Sequence, residues 1–243
     1  MPQINSPSQV KSWVQWFERA AAYYKDPRMK MAYYQDACTG RPVSLSIMKR
    51  IYKDIWQKLK ADKRHSLLEV GCGVGLFYRY YHHRLKEMRG TDISPKMIKD
   101  AYALNPHGKF FVAESHALPF PDQSLDRLLC YSVFHYFSNL SYAQKVLNEF
   151  VRVVGTEGVI LIGDILLPGS RKKIKGVNSW PQKPWWPSQL NHQLNKLKIK
   201  PEFFKNYCRR KGLTYEILQQ RISGRFLPET RYDLRITINK NEK

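Results

Sequence analysis

The segment Leu67-Leu68-Glu69-Val70-Gly71-Cys72-Gly73-Val74-Gly75 runs an apolar strand into a turn with three alternating glycines, and Thr91-Asp92-Ile93-Ser94 follows about one strand later. Glycines at a strand-to-helix turn let a ligand approach bare backbone, and an acid at the end of the next strand can hold a ribose. The chemistry open to this pairing is the binding of a nucleoside-bearing ligand. A dinucleotide site requires Gly-x-Gly-x-x-Gly, whose last glycine lets the helix pack closely while its N-terminus faces a pyrophosphate. This chain has Leu76 at that place. Glu69, at the entry to the loop, would repel a pyrophosphate but suits a ligand with a positive centre and an ammonium group.

S-adenosylmethionine has both. Four stretches, in order, resemble the class I S-adenosylmethionine-dependent methyltransferases, especially the group that includes ubiquinone/menaquinone-biosynthesis and sterol methyltransferases. They are Leu68 to Gly75, Gly90-Thr91-Asp92-Ile93-Ser94-Pro95-Lys96-Met97-Ile98, Ala117-Leu118-Pro119-Phe120-Pro121-Asp122-Gln123-Ser124-Leu125-Asp126, and Glu149-Phe150-Val151-Arg152-Val153-Val154. The resemblance covers residues 64 to 165 and implies S-adenosyl-L-methionine as cofactor and S-adenosyl-L-homocysteine as product. It implies that Glu69 and Gly71 hold the methionine end, that Gly73 and Gly75 give the cofactor room, and that Asp92 takes both ribose hydroxyls. Ile93 and Met97 would flank the adenine, and Glu114 and Ser115 stand where the family has an Asp-Ala pair beside the adenine amino group. Gly155-Thr156-Glu157-Gly158 replaces the usual Lys-Pro-Gly-Gly turn.

Strands and helices alternate along this part. Residues 67–71, 87–92, 109–113, 125–131 and 158–165 read as short apolar strands, with helices near 75–84, 95–104 and 140–153. A helix from Pro201 to Lys211, stopped by Gly212, precedes two alternating strands, Thr214 to Leu218 and Tyr232 to Ile238. The expected fold is α/β: a Rossmann-like, doubly wound, seven-stranded and mostly parallel sheet with an antiparallel C-terminal hairpin, its ligand at the carboxyl ends of the strands. Residues 1–60 read as an N-terminal helical cap and 61–243 as the methyltransferase domain. In this fold family such helices fold over the cofactor, so Tyr24 and Tyr34 are candidates to line the site.

Residues 165–201 contain no Asp or Glu but carry Arg171, Lys172, Lys173, Lys175, Trp180, Trp185, Trp186, Lys196, Lys198 and Lys200. An insertion after the fifth strand sits at the carboxyl edge of the sheet, well placed for a substrate lid with Trp185 and Trp186 on the acceptor, or for a solvated loop pinned by its tryptophans. The net charge of +21 attracts anions at long range. Basic residues interleaved with aromatics could serve single-stranded nucleic acid, but the fourth strand ends Cys130-Tyr131-Ser132-Val133, not in the Asn-or-Asp-Pro-Pro-Tyr of many base-modifying enzymes.

With 243 residues, 43% hydrophobic and 25% charged, the chain can bury a full core unaided. Cys38, Cys72, Cys130 and Cys208 lack metal-ligand spacing and read as reduced thiols, and His82-His83 point apart on a helix, so no metal is expected. No apolar stretch reaches the ~18 residues of a spanning helix. Residues 1–7 lack the basic and apolar parts of a secretion signal, and a cytoplasmic protein is expected.

Methyl transfer requires a nucleophile placed in line, water excluded and a proton removed. His135, in Val133-Phe134-His135-Tyr136-Phe137, is the candidate base or else a histidine held in the wall. Tyr131 and Tyr136 are alternative lining groups. The strand end Gly163-Asp164-Ile165 and the segment Arg231-Tyr232-Asp233 resemble members of this fold in secondary or polysaccharide metabolism. The reading is an O- or N-methyltransferase acting on a natural-product, peptide-derived or glycan intermediate. The alternatives are an RNA methyltransferase and a non-catalytic binding module of the same fold.

Overall fold

The computed structural model describes residues 43–168, 196–225 and 228–240. Its seven strands are β1 (Ser66–Val70), β2 (Glu87–Asp92), β3 (Phe110–Val112), β4 (Leu125–Tyr131), β5 (Val154–Leu166), β6 (Thr214–Gln219) and β7 (Arg231–Thr237). They form one sheet in the order β3-β2-β1-β4-β5-β7-β6. The first five strands are parallel, and β7 runs antiparallel between β5 and β6. Strand order reverses between β1 and β4, so the loops leaving these two strands part and open a crevice at their carboxyl ends.

Among the described residues, five helices cover the sheet: α1 (Leu45–Leu59), α2 (Leu76–Tyr81), α3 (Pro95–Leu104), α4 (Leu140–Val153) and α5 (Pro201–Arg210). Ser44, Ser94 and Asn139 start α1, α3 and α4 by accepting a backbone N–H three residues on, which satisfies a donor the helix cannot. Proline opens α3 and α5, where its missing N–H costs nothing. Two cores form, one on each face. Phe134, Val146, Leu147, Phe150 and Phe204 pack under α4 and α5, while Leu67, Val74, Leu76 and Met97 pack with α1, α2 and α3.

The α1 helix buries Met48, Ile51, Tyr52, Ile55 and Leu59 in that second core. Their three- and four-residue spacing makes one apolar stripe, and each fully buried side chain contributes roughly 1.5–3 kcal/mol. Although the sequence reading divides cap from sheet domain near residue 60, this helix is part of the sheet's own core. Lys58 donates to Asp233 of β7 at 2.6 Å and Arg235 donates to the Lys58 carbonyl at 3.2 Å, which ties the end of α1 to the terminal strand.

Two elements differ from the sequence reading. The helix expected over 75–84 is α2 followed by a 3-10 turn at His82–Arg84. Its short length fits the start of β2 directly after Lys86, whose N–H bonds the His65 carbonyl before β1 at 3.0 Å. The turn expected at Gly155 to Gly158 lies inside β5: Leu125 pairs with Val154, whereas Arg127 pairs with Val159. The extra residues on β5 bulge out, with Glu157 at a φ of 63°.

Candidate active site

The glycine loop is fixed to the end of β2. The N–H groups of Gly71 and Cys72 both donate to the Thr91 carbonyl, at 2.7 and 2.9 Å. Gly71 and Gly75 take φ values of 75° and 70°, which side-chain-bearing residues adopt only at a cost. A Cβ on Gly71 would lie 2.3 Å from a Val133 methyl, and one on Gly75 would lie 2.9 Å from both Asn105 and Phe110. Asp92 holds the loop from beside it. Its Oδ2 accepts the Gly73 N–H and its Oδ1 accepts the Ser94 N–H, both at 2.9 Å. A carboxylate has about four acceptor sites, so Asp92 still has capacity for two hydroxyls.

Glu69 lies at the mouth of this loop, buried, with Oε2 lacking any partner. Burial, then the nearby charge of Asp92, pushes its carboxyl well above the usual carboxylate range. Burial also raises Asp92, against the backbone bonds it accepts. A buried carboxylate without a partner is costly, and a positively charged ligand group is what it lacks. The Tyr52 hydroxyl, equally buried and without a partner, stands close enough for the Glu69 charge to add to the burial that raises its pKa. Sequence reasoning passed over Tyr52; its place on the α1 stripe signalled core packing alone.

On the adenine side of the implied site, Ile93 is 38% exposed and Met97 is 3% exposed. Ser115, in the loop after β3, is half-buried. Glu114 turns its carboxylate to His116 Nδ1 at 3.1 Å and to the Tyr142 hydroxyl at 3.5 Å. Burial and this carboxylate push the Tyr142 phenol up to about 12.

Past the end of β4 the chain turns sharply. Ser132 and Asp164 hold φ values of 61° and 63°, a backbone strain that needs support from the surroundings. The Asp164 side chain, 2% exposed, supplies it. Its Oδ1 meets Arg231 at 2.5 Å and Arg225 at 2.9 Å, and its Oδ2 accepts from Ser132 Oγ at 2.5 Å. Burial alone would raise the Asp164 carboxyl; the two guanidinium groups outweigh it and hold the group below the usual range. The Asp164 N–H donates to Asp233 Oδ1 at 2.9 Å, and Gln220 donates to that same oxygen at 2.6 Å. Tyr131 lies across Gly163, where a Cβ would meet its ring at 2.2 Å, and its hydroxyl accepts from Arg225 at 2.5 Å and Gln220 at 3.1 Å.

His135 is buried in this corner, 3% exposed. Its Nδ1 lies 3.4 Å from the Asp164 carbonyl oxygen, and its Nε2 has no partner. Burial first, then the charge of Lys196 and of Arg231, carries its pKa well below the ordinary histidine value, with Asp164 opposing. The imidazole is therefore neutral near pH 7. With Nδ1–H directed at a carbonyl, Nε2 is left as a bare acceptor. Tyr136 packs on the His135 ring at 4.2 Å between centroids, and Lys196 Nζ lies 5.1 Å from the Tyr136 ring.

The structure thus brings Glu69, Gly71, Gly73, Gly75 and Asp92 together at the carboxyl ends of β1 and β2. Tyr131, His135 and Tyr136 follow β4. Tyr24, Tyr34, Trp185 and Trp186 lie outside the described residues. The partners of Asp164 were legible only as the separate segments around Gly163 and Arg231, because nothing local in sequence pairs residues 67 positions apart. Among the described residues, no group of three or more His, Cys, Asp or Glu side chains is placed to hold a metal, and no helix is long and apolar enough to cross a membrane.

Comparison with known proteins agrees with this geometry. Residues 68–162 match the family model described as "Methyltransferase domain". Demethylmenaquinone methyltransferase of Thermotoga maritima is 31% identical over 123 residues, which cover 50% of this chain and 52% of that protein. The chain spans about half the length of the curated relatives it matches. Among solved structures, the N-methyltransferase NodS of Bradyrhizobium japonicum WM9 with S-adenosyl-l-homocysteine aligns at a TM-score of 0.64 with 14% identity, covering 93% of this chain and 97% of NodS. The plantazolicin methyltransferase BpumL, in complex with a triazolic desmethylPZN analog and SAH, aligns at 0.63 with 17% identity over 97% of this chain and all of BpumL. Domain match, strand order and glycine loop agree: residues 68–162 are similar to a methyltransferase domain, on a sheet with the fold of the solved methyltransferases.

Proposed function

We propose that the protein methylates an oxygen or nitrogen atom of a small or medium acceptor, with S-adenosylmethionine as donor. The observation that carries this reading is the unpartnered, buried carboxylate oxygen of Glu69 beside a glycine loop held by Asp92. A ligand ammonium is the group that would complete Glu69, and ribose hydroxyls would use the remaining acceptor capacity of Asp92. When bound, S-adenosylmethionine supplies an electrophilic methyl group on a sulfonium. Gly71 and Gly75 keep the loop backbone bare, so that the ligand lies against peptide groups instead of side chains.

His135 supports a hydroxyl or amine acceptor. As the acceptor heteroatom bonds to the methyl carbon and the carbon–sulfur bond breaks, the acceptor must lose a proton, and the bare Nε2 of a neutral imidazole can take it. Tyr136 and Lys196 wall the same corner. The natural-product and peptide-derived acceptor classes draw support from BpumL, whose structure holds a plantazolicin analog. Three buried free thiols, Cys72, Cys130 and Cys208, suit a reducing compartment such as the cytoplasm. The test is incubation of the protein and labelled S-adenosylmethionine with a cell extract, followed by mass spectrometry for a methyl gain on oxygen or nitrogen. A gain on carbon, or none while S-adenosylhomocysteine binds, refutes the heteroatom reading.

A further inference from the structure

Near their carboxyl ends β4 and β5 each lead into a left-handed residue that is not glycine. Tyr131 pairs with Gly163, and the next residue on each strand, Ser132 and Asp164, takes a φ of 61° and 63°. Glycine enters this region without steric cost, aspartate at a modest one and serine at more. The side chains account for the choice, because Ser132 Oγ donates to Asp164 Oδ2 at 2.5 Å. On β5 the same residue lies in a bulge: the register with β7 passes from Ile162 on Leu234 to Ile165 on Tyr232, so Asp164 stands outside the ladder. Its N–H bonds the Asp233 side chain at 2.9 Å, and its carbonyl meets His135 Nδ1 at 3.4 Å.

The chain from Ser132 onward sets His135 against that carbonyl. His135 lies in a 3-10 turn over Phe134–Tyr136, closed by the Tyr136 N–H on the Val133 carbonyl at 2.9 Å. Val133 packs so near Gly71 that a Cβ there would lie 2.3 Å from its methyl, and the His135 carbonyl accepts the Leu197 N–H at 2.8 Å. The turn is wedged between the glycine loop and β5, with the Ser132–Asp164 bond at its start. A carbonyl only accepts, so the ring atom it meets is Nδ1–H. The lone pair is then on Nε2, which has no partner among the described residues.

We propose that Ser132 and Asp164 are positioning residues for His135: bonded to each other, they aim the Asp164 carbonyl at Nδ1 and hold the ring in the tautomer whose lone pair is on Nε2. Without that carbonyl either ring nitrogen can carry the proton. Arg231 and Arg225, at 2.5 and 2.9 Å on the other carboxylate oxygen, keep Asp164 in place as the acceptor of Ser132. Backbone strain persists where the surroundings over-determine it, and it gathers at functional sites. What the tautomer serves, a proton taken at Nε2 during methyl transfer, rests on the reading of His135 as base. The tautomer itself is measured in the resting protein.

In protein with 15N-labelled histidine rings, two-bond nitrogen–proton correlation at neutral pH reports which ring nitrogen carries the proton, and His135→Gln assigns the signals. The parent is expected to show His135 as the Nδ1–H form. Ser132→Gly takes the same backbone shape with less strain but lacks the hydroxyl. Its ratio of Nδ1–H to Nε2–H is expected to fall roughly three- to tenfold, the worth of a typical hydrogen bond. Ser132→Asn, whose amide donates and whose backbone tolerates the left-handed region, is expected to recover the ratio. A pair that only braced the sheet would change the melting temperature and leave the tautomer alone. An Nε2–H parent, a parent-like ratio in Ser132→Gly, or an equal loss in Ser132→Asn overturns the proposal. Unchanged turnover in His135→Ala refutes the base reading instead, and the ring signals still decide what Ser132 and Asp164 do.

Discussion

Glu69→Gln is expected to move stability and affinity in opposite directions. In the ligand-free protein Glu69 is buried, its Oε2 has no partner, and burial with Asp92 nearby raises its pKa. A carboxyl raised on folding binds its proton more tightly in the folded than in the unfolded state. The folded state is then undisturbed below the unfolded value of about 4.3, and it loses stability as pH rises from there to the folded value. Each tenfold difference in proton affinity is about 1.4 kcal/mol. Glutamine, of nearly the same shape, never ionises, so the variant escapes this loss. Its melting temperature near pH 7 should rise, by ~2–4 °C for each kcal/mol relieved in a chain of this size.

Ligand binding should respond the other way. An ammonium placed on ionised Glu69 makes a charge-assisted hydrogen bond of ~1.5–3 kcal/mol. Its loss weakens S-adenosylhomocysteine binding by about 10- to 150-fold. Because binding draws Glu69 into its ionised form, the parent protein releases a proton on binding, and its affinity climbs with pH until the free carboxyl is ionised on its own. Calorimetry in two buffers of different ionisation enthalpy measures that proton, which Glu69→Gln should not release. A variant that is less stable and binds as tightly as the parent refutes both the burial argument and the assignment of Glu69 to the ammonium.

Asp92→Ala removes the acceptor of the Gly73 and Ser94 N–H groups as well as the implied ribose contact. It is expected to weaken S-adenosylhomocysteine by ~1.5–3 kcal/mol per lost bond, and unchanged calorimetric affinity would remove Asp92 from the ribose. His135→Ala is expected to lower kcat by about 10²–10⁴ with cofactor affinity kept. Because the imidazole is held below its ordinary value, the acid limb of the parent's rate profile should fall below the ordinary histidine pKa of about 6.5; a limb above it speaks against His135 as base. Asp164→Asn leaves two buried guanidinium groups without their carboxylate and should cost ~3–5 kcal/mol in denaturant unfolding. The parent should lose the stability held by Asp164 only as acid carries the pH below the unfolded carboxylate value and on toward the folded one. Filter binding of mixed RNA at two salt concentrations checks the +21 charge: steep salt dependence enhanced by cofactor would favour a polyanionic acceptor, and weak, cofactor-indifferent binding is expected.

What the sequence revealed follows from the range of the interactions involved. The strands over 87–92 and 125–131 and the helices over 95–104 and 140–153 coincide with the structure, because period and capping are local. Ser94 before Pro95 and Asn139 before Leu140 announce their helices within four residues. The glycine loop and Asp92 are similarly legible, since loop and acid sit on adjacent parallel strands joined by a single helix. Glu157 is the instructive miss. The sequence places a Gly-Thr-Glu-Gly turn ahead of the strand, but β4 pairs with β5 on both sides of it, and pairing is decided by the neighbouring strand.

The corner around Asp164 is less legible for the same physical reason. Asp164 has meaning only through Ser132, Arg225, Arg231 and Asp233, which reach it from other strands and loops. A one-residue change in the pairing of β5 with β7 would turn Arg231 and Asp233 to the opposite face relative to Asp164. Register is held from outside the site: Tyr232 donates to the Ile199 carbonyl at 2.9 Å, and Lys58 on α1 grips Asp233. A cofactor loop can be encoded in nine consecutive residues, because backbone alone makes most of its contacts. A buried cluster such as that around Asp164 needs side chains of chosen charge, and the sheet gathers them from segments far apart in the chain.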